Sequence, residues 1–151
     1  MRKEIQKEVI IASKYVHQKI GCIINSELAH NDITAAQSHV LMFIMCHEPP
    51  VYPSDIQREM HISGATVSGL VKKLRSKGYL TMEGCDTDER RRGLIATEKA
   101  AMHKAEIENC MGSIEDKAFK GFEEDELETL NKLLSRMAEN LKDAEKEGQD
   151  K

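Results

Sequence analysis

The stretch PSDIQREMHISGATVSGLVKKLRSKG, residues 53–78, contains two short helical patterns separated by a turn. Pro53 suits the first turn of a helix, because proline lacks the amide hydrogen that this turn would leave unpaired anyway. Ser63 suits the N-cap of the second helix, since its hydroxyl can accept a hydrogen bond from a free backbone amide. Four apolar residues recur at helical spacing and predict the buried face of that helix: Val67, Leu70, Val71 and Leu74. Two helices joined by so short a turn, here His61 and Ile62, form a helix-turn-helix pattern.

The remaining surface of the second helix carries small, hydroxyl and basic side chains. These residues are Ser63, Gly64, Thr66, Ser68, Gly69, Lys72 and Lys73. Small and hydroxyl side chains near the start of a helix let the backbone approach bases and phosphates, and lysines further along neutralise phosphates. The two glycines leave fewer side chains for reading bases, which shifts recognition toward DNA shape and backbone. This surface is therefore a candidate binding face for double-stranded DNA, although such helix pairs also occur as ordinary core.

The helical period disappears after Gly78, which is expected as the left-handed C-cap of the second helix. Residues 79–82 and 93–96 are short β-compatible runs, and the stretch between them at residues 84–92 is polar and charged. This arrangement predicts an antiparallel β-hairpin with a long, charged tip. A hairpin that directly follows a helix-turn-helix predicts a winged helix.

The tip of the predicted hairpin concentrates positive charge in Arg90, Arg91 and Arg92. Arginines on a projecting loop can enter the minor groove of A·T-rich DNA, where the electrostatic potential favours them. Asp88 lies two residues before Arg90, so its carboxylate could hold that guanidinium extended through a bidentate pair. The alternative interpretation is a solvated charged loop without any contact to DNA.

Long helical patterns flank this region on both sides. Apolar residues recur at spacings of three and four within residues 5–24 and predict a long amphipathic helix. Thr34 and Gln37 form a capping-box pattern that opens the next helix. That helix is expected to end before the proline pair at residues 49–50, because proline disfavours helix at the preceding residue.

Two further helices are predicted after the hairpin. Thr97 resembles the N-cap of the first, which Gly112 and Gly121 weaken near its end. The last helix carries apolar residues at alternating spacings of three and four between Leu127 and Leu141, which is typical of a helix–helix seam. The chain from residue 142 is too charged to pack and is expected to fray.

The predicted fold is mainly α with one small antiparallel β-hairpin: a winged helix-turn-helix flanked by N- and C-terminal dimerisation helices. The DNA-binding domain is expected at residues 34–97, the helical dimerisation region at residues 1–30 plus 98–145, and a frayed tail at residues 146–151. Apolar stripes at both ends of the chain predict a homodimer, because one chain of 151 residues cannot easily cover them.

The distribution of charge agrees with a DNA-binding centre. The net charge is −4, but residues 53–97 carry eight basic and six acidic side chains, whereas residues 98–151 carry nine basic and fifteen acidic ones. The positive excess coincides with the predicted DNA-binding elements, where local charge matters more than the total.

Several classes of protein are disfavoured. No stretch approaches the roughly 18 apolar residues of a membrane span, and the first residues lack the apolar run of a signal peptide. Four widely separated cysteines form neither a disulfide framework nor a CxxC metal site. We therefore expect a cytoplasmic protein without a membrane partner. No nucleophile–base set, carboxylate pair or phosphate loop stands out, so no enzyme activity, cofactor or metal is expected.

The wing sequence resembles that of the MarR (multiple antibiotic resistance regulator) family. The family signature is Asp-x-Arg followed by a leucine and by a threonine that opens the next helix. Asp88, Arg90 and Thr97 match it in identity and spacing, whereas Ala96 replaces the leucine. The sequence TAAQSHVL at residues 34–41 also matches the start of the family's second helix. The resemblance covers nearly the whole chain, and the wing is its most specific part.

The resemblance implies that Arg90 enters the minor groove, braced by Asp88, while the helix from Ser63 to Lys77 lies in the major groove. It implies that the first helix and the last two helices form a homodimer that binds a pseudo-palindromic operator. It also implies a repressor that leaves DNA when a small molecule, an oxidant or a metal binds between the DNA-binding and dimerisation parts.

The nature of this effector stays open between three classes. His39 lies near a ligand position of zinc-responsive relatives, and His17 and Cys22 lie on a helix that could converge on it. His103 and Glu106 share one face of a later helix, although a single pair at that spacing is weak support for a metal. Cys22 also suggests peroxide sensing, but the peroxide sensors of the family place their cysteine nearer the start of that helix. By analogy with the family, an organic small molecule is the principal hypothesis. His39, Cys22 and His17 are the candidate effector residues whichever class of effector applies.

A winged-helix module for protein–protein contact is the alternative from another functional class. Such a module would need neither Arg90 nor Lys72. Loss of DNA binding when these residues are changed separates the two functions.

Overall fold

The computed structural model describes residues 1–84 and 91–149, and the side-chain surroundings of those residues as far as position 144. Its elements in chain order are α1 (Arg2–Glu27), α2 (Ala35–Met45), α3 (Pro53–Met60), α4 (Gly64–Ser76), β1 (Leu80–Glu83), β2 (Gly93–Ala96), α5 (Glu98–Ala118) and α6 (Glu124–Gln149). A short 3-10 turn at Ala29–Asn31 follows α1. The predicted fold class, mainly α with one antiparallel hairpin, is confirmed. The chain forms two compact units, Met1–Ile114 and the residues from Glu115 onward.

Local hydrogen bonds explain where the helices begin and end. The amide of Gln37 donates to Thr34 Oγ1 at 3.3 Å and the amide of Thr34 donates to Gln37 Oε1 at 3.2 Å, so the predicted capping box of α2 is confirmed. The amide of Ala100 donates to Thr97 Oγ1 at 3.4 Å in the first turn of α5. The C-cap of α4 is Lys77, one residue earlier than predicted, and Gly78 directly after it has the predicted left-handed conformation, with φ of +82°.

One apolar core fills the first unit. It draws aliphatic side chains from α1 to α4, both strands and the first part of α5. Its completely buried members are Leu28, Val40, Leu41, Ile56, Val67, Leu74, Leu94, Ala100 and Ile107. Burial of a large aliphatic side chain contributes roughly 1.5–3 kcal/mol. The winged helix and the first part of α5 are therefore held together as one packed body.

The two strands form the predicted antiparallel hairpin, with Leu80 opposite Ala96. The first strand begins at Leu80, one residue later than predicted, and the preceding Tyr79 is buried in the core with 1% exposure. Val51, in the connection between α2 and α3, exchanges backbone hydrogen bonds of 2.7 and 3.1 Å with Leu94. These bonds attach the base of the wing to the helical part of the unit.

Gly93 permits a close approach between the wing and the connection that precedes α3. A Cβ atom added at Gly93 would lie 2.3 Å from Pro50 Cβ, far inside van der Waals contact. Any other residue at this position would push the start of β2 away from Pro50.

Most of α1 keeps its apolar face in solvent. The sequence predicts Ile5, Val9 and Val16 on that face, and they are 55%, 42% and 52% exposed. Within α1, burial is reached only at Ile24, close to the end of the helix. The helix is amphipathic as predicted, but a single chain covers only its last turns.

The second unit consists of the end of α5, a turn and α6. The rings of Phe119 and Phe122 meet edge to face at 5.9 Å, and Gly121 between them has φ of +84°. On α6, Leu134 and Leu141 of the predicted seam are 44% and 62% exposed. None of the described side chains of α6 is buried within the single chain.

The end of α6 differs from the sequence expectation. Fraying is predicted from residue 142, whereas α6 continues to Gln149. Glutamate, lysine and alanine dominate this stretch and have high helix propensity. An ion pair of 3.6 Å between Lys142 Nζ and Glu139 Oε1 adds support within the same turns.

Within residues 1–84 and 91–149, no helix combines the length and the apolar character that a membrane crossing needs.

Candidate nucleic-acid interface

A left-handed residue joins the two helices of the helix-turn-helix. His61 is the C-cap of α3 and has a left-handed conformation, with φ of 54°. The amide of Thr66 donates to Ser63 Oγ at 3.1 Å, and the two hydroxyls lie 2.8 Å apart. Ser63 is therefore the N-cap of α4, as the sequence predicts.

Burial of one face of α4 decides which of its residues face outward. Val67, Val71 and Leu74 are buried, and Leu70 packs at the edge of the core. The predicted DNA-facing residues that remain exposed are Ser63, Thr66, Ser68, Gly69, Lys72 and Lys73. They lie on one continuous side of α4, because the buried residues occupy the other side of the helix.

The two glycines of α4 have different environments. A Cβ atom on Gly64 would lie 3.1–3.3 Å from the terminal amide of Gln57, which is an exposed and flexible side chain. A Cβ atom on Gly69 would meet no atom within 4 Å. Packing within the chain therefore gives no reason for Gly69, which costs α4 about 1 kcal/mol of helix propensity relative to alanine.

A groove of about 550 Å³ lies between the C-terminal half of α4 and strand β1. It is lined by Lys72, Arg75, Ser76, Leu80, Thr81 and Met82. Two cationic side chains and two hydroxyls on the walls of an open groove suit a phosphate group. Arg75 and Thr81 do not belong to the DNA-facing set selected from the sequence. The spacing of three residues between Lys72 and Arg75 indicates that both lie on the same side of α4. The sequence does not show that they lie beside β1, because that is a tertiary contact.

The wing residues are only partly described by the structure. Arg91 is exposed and Arg92 is half-buried just before β2. Asp88 and Arg90 lie outside the described residues. The prediction that Asp88 braces Arg90 for a contact in the minor groove therefore stays a prediction.

The candidate effector residues come together only in part. His17 of α1 and His39 of α2 are close enough to interact electrostatically. Partial burial of the imidazole lowers the pKa of His39 below its ordinary value, and the neighbouring His17 lowers it further. Cys22 is an exposed free cysteine. Among the residues that the structure describes, no three histidine, cysteine or acidic side chains are arranged to hold a metal ion.

A second, smaller groove has a largely apolar lining. Its volume is about 280 Å³, and it lies between the end of α2, the end of β2 and the first turns of α5. Ile44, Met45, Pro49, Ile95 and Ala101 form its apolar walls, while His47 and Lys104 add polar groups.

The C-terminal end of α4 is tied to the loop that precedes α2. The hydroxyl of Tyr79 donates to the carbonyl oxygen of Asn31 at 3.0 Å. Lys77 Nζ donates to the carbonyl oxygen of Asp32 and, at 3.0 Å, to Gln37 Oε1. Sequence patterns do not reveal these bonds, because they join residues that are 40 or more positions apart.

Comparison with known proteins shows which family the chain resembles. Residues 31–91, from the end of the 3-10 turn into the wing, match the sequence profile of the MarR family. The chain resembles the MarR family over these 61 of its 151 residues. The match includes all of α2, α3 and α4, so the resemblance found in the wing and in the capping box of α2 is confirmed.

Solved structures of MarR-type proteins share the fold over most of their length. A structure described as MarR has 25% identity, with 88% of this chain and 96% of that chain covered and a TM-score of 0.67. A putative MarR-family transcriptional regulator from Listeria monocytogenes, complexed with a 26mer DNA, has 21% identity, 89% coverage of both chains and a TM-score of 0.78. The MepR–DNA complex of S. aureus has 21% identity, 86% and 94% coverage, and a TM-score of 0.77.

Proposed function

We propose that this chain is a sequence-specific, double-stranded DNA-binding transcriptional regulator in which α4 reads the major groove. The observation that carries the proposal is the outer face of α4. It presents hydroxyl, glycine and lysine residues without a packing role, next to a groove that adds Arg75. The DNA complexes of two structural neighbours support the same use of the fold.

The wing is proposed to add a minor-groove contact through Arg90, braced by Asp88. The support is the match of the wing signature to the MarR family. Arg91 and Arg92 extend the positive charge toward the start of β2.

Two copies of the chain are proposed to bind a pseudo-palindromic operator as a homodimer. The exposed apolar side of α1 and the exposed leucines of α6 support this assembly, because a free chain would leave both in water. Residues 1–30 plus 98–145 are the proposed dimerisation region, and residues 34–97 are the proposed DNA-binding domain.

We further propose that the protein is a repressor which a small organic molecule releases from DNA. The family resemblance supports this role, and the apolar groove of about 280 Å³ beside the first turns of α5 is a suitable place for such a molecule. A screen of organic ligands for release of the protein from its operator tests the effector class.

The first test concerns the phosphate contacts of the groove. Lys72→Ala and Arg75→Ala should each reduce the magnitude of the log–log salt slope of operator binding by about 0.9, since each side chain neutralises one phosphate. Lys132→Ala, which removes an exposed lysine of α6, is the matched control and should leave the slope unchanged. Fluorescence anisotropy on an operator selected from random duplexes gives the slope. A wild-type slope near zero would rule out this interface.

Gly69→Ala is expected to change the free energy of unfolding and the affinity for DNA in opposite directions. The variant should raise the free energy of unfolding by up to about 1 kcal/mol, because alanine favours helix and its Cβ meets open space. The same methyl group should weaken operator binding about fivefold or more, the lower end of the loss expected for one base contact. Gly112→Ala in α5 also meets open space and should stabilise the chain without weakening DNA binding. Unchanged operator affinity in Gly69→Ala would show that the backbone of α4 does not approach the DNA closely.

Asp88→Asn tests the proposed brace of Arg90. Arg90→Ala should weaken specific binding by about 1–3 kcal/mol, as for a single base-reading contact. Asp88→Asn should cause part of the same loss, although it removes a negative charge from a protein that approaches a polyanion. Asp86→Asn makes the same change of charge two positions earlier in the sequence and should not weaken binding. Tighter operator binding by Asp88→Asn than by the wild type would contradict the brace.

Val16→Glu tests the homodimer. A carboxylate on the exposed apolar side of α1 should dissociate the dimer, because burial of an unpaired charge is strongly unfavourable. Gln18→Glu adds the same charge to the other side of α1 and should leave the assembly intact. Sedimentation equilibrium should give the mass of two chains for the wild type and for Gln18→Glu. A single-chain mass for the wild type at micromolar concentration would exclude the dimer.

A further inference from the structure

Residues 77–79 connect α4 to β1 and form the corner between the two walls of the larger groove. Arg75 and Ser76, which line the α4 wall, directly precede this corner, and the β1 wall begins directly after it at Leu80. A change in the path of the corner would move one wall relative to the other. The corner therefore sets the shape of the groove.

The side chain of Lys77 turns away from the DNA-facing side of α4. Its Nζ donates to the carbonyl oxygen of Asp32 and, at 3.0 Å, to Gln37 Oε1. The carboxylate oxygen Oδ2 of Asp32 lies 3.6 Å from the same nitrogen. The Lys77 side chain is 23% exposed, whereas Lys72 and Lys73 are exposed. Acceptors of the chain itself thus occupy the ammonium group of Lys77.

Gln37 is a fixed anchor for this ammonium group. It is only 2% exposed, and its Oε1 also accepts a hydrogen bond of 3.2 Å from the amide of Thr34 in the capping box of α2. An amide oxygen has two lone pairs, so these two donors use its full accepting capacity. Lys77 consequently joins the corner to the first turn of α2.

Two side chains of α5 hold the backbone of the same corner. Lys99 Nζ donates to the carbonyl oxygen of Lys77 at 2.6 Å, and Thr97 Oγ1 donates to the carbonyl oxygen of Gly78 at 2.7 Å. The last carbonyl groups of a helix have no partner within the helix, so such donors stabilise its end. The ammonium group of Lys77 adds an attachment to α2 that these bonds from α5 do not supply.

We propose that Lys77 is a positioning residue for DNA binding, which anchors the corner to Asp32 and Gln37 and thereby keeps Arg75 where the groove receives a phosphate. This inference rests on the proposed function, because that function supplies the phosphate contact of the groove. It gives Lys77 a role different from that of the exposed lysines of α4, which are expected to meet phosphates themselves.

The experiment measures the log–log salt slope of operator binding by fluorescence anisotropy for the wild type, Lys77→Met, Arg75→Ala and the double variant. Methionine keeps the helix propensity of lysine but removes its ammonium group. Lys77→Met should weaken binding and lower the magnitude of the slope by up to about 0.9, because Arg75 loses its phosphate. The double variant should lose about 0.9, no more than Arg75→Ala alone, because both changes remove the same contact.

Lys132→Met is the matched control, because it removes the same charge from an exposed lysine of α6. Its slope should equal that of the wild type. A direct phosphate contact of Lys77 leads to a different result, since the double variant would then lose about 1.8, twice the loss of Arg75→Ala. That result overturns the proposal, and so does a Lys77→Met variant with the slope and affinity of the wild type.

Hydrogen exchange without DNA reports on the corner itself. The amides of Lys77, Gly78 and Tyr79 donate to carbonyl oxygens near the end of α4 at 3.1, 3.0 and 2.9 Å. A peptide covering residues 75–81 should therefore exchange faster in Lys77→Met than in the wild type, after correction for the intrinsic rates of the two sequences. The same peptide in Lys132→Met should match the wild type.

The two measurements distinguish the possible failures. If the wild type binds no duplex, the proposed function fails, and the role of Lys77 in DNA binding fails with it. If a duplex binds but exchange in Lys77→Met matches the wild type, Lys77 does not hold the corner, and only this inference is wrong. If exchange is faster while slope and affinity stay unchanged, Lys77 stabilises the corner without positioning Arg75, which also overturns the inference. An unchanged slope in Arg75→Ala would show that Arg75 meets no phosphate, so this inference would be wrong while DNA binding by α4 stands.

Discussion

Burial of Val67, Val71 and Leu74 holds α4 at one rotation about its axis, and the candidate interface depends on this constraint. Turning the helix by one residue would expose these side chains and bring polar residues such as Lys72 into the core. Each aliphatic side chain moved into water would cost roughly 1.5–3 kcal/mol, which is a large part of the stability of a domain of this size. The hydroxyl, glycine and lysine residues of α4 therefore face outward, because Val67, Val71 and Leu74 are buried in the core.

Polar contacts hold the far end of α4. Its first turn is capped by Ser63, and its last turn continues into Gly78 and Tyr79. Thr97 Oγ1 donates to the carbonyl oxygen of Gly78 at 2.7 Å, while Tyr79 donates to the carbonyl oxygen of Asn31. The helix end, the start of β1, the start of α5 and the 3-10 turn consequently meet at one junction. Thr97, at the start of α5, and Gly78, just after α4, are therefore in direct contact at this junction.

The exposed apolar side chains of α1 and α6 form series along each helix, unlike the scattered apolar residues of a typical surface. Isolated apolar residues in solvent are normal, but Ile5, Val9 and Val16 recur on one side of a single helix. The leucines of α6 form a similar series within the second unit. Such repeated exposure is costly for a free chain and is typical of surfaces that a partner covers. The core of the first unit does not include Ile5, Val9 or Val16.

Much of this architecture can be predicted from local sequence. The capping box of Thr34, the left-handed Gly78 after α4 and the buried stripe of α4 follow from hydrogen-bond geometry and helical periodicity, which involve residues within about one turn of each other. The contribution of Arg75 to the groove, the different environments of Gly64 and Gly69, and the anchoring of Lys77 could not be predicted in this way. They depend on Thr81, Gln57 and Gln37, which belong to other elements. The sequence determined which residues can face outward on each helix, because periodicity is a local property. Only the tertiary structure decided which outward residues meet, because those contacts depend on how the buried faces pack together.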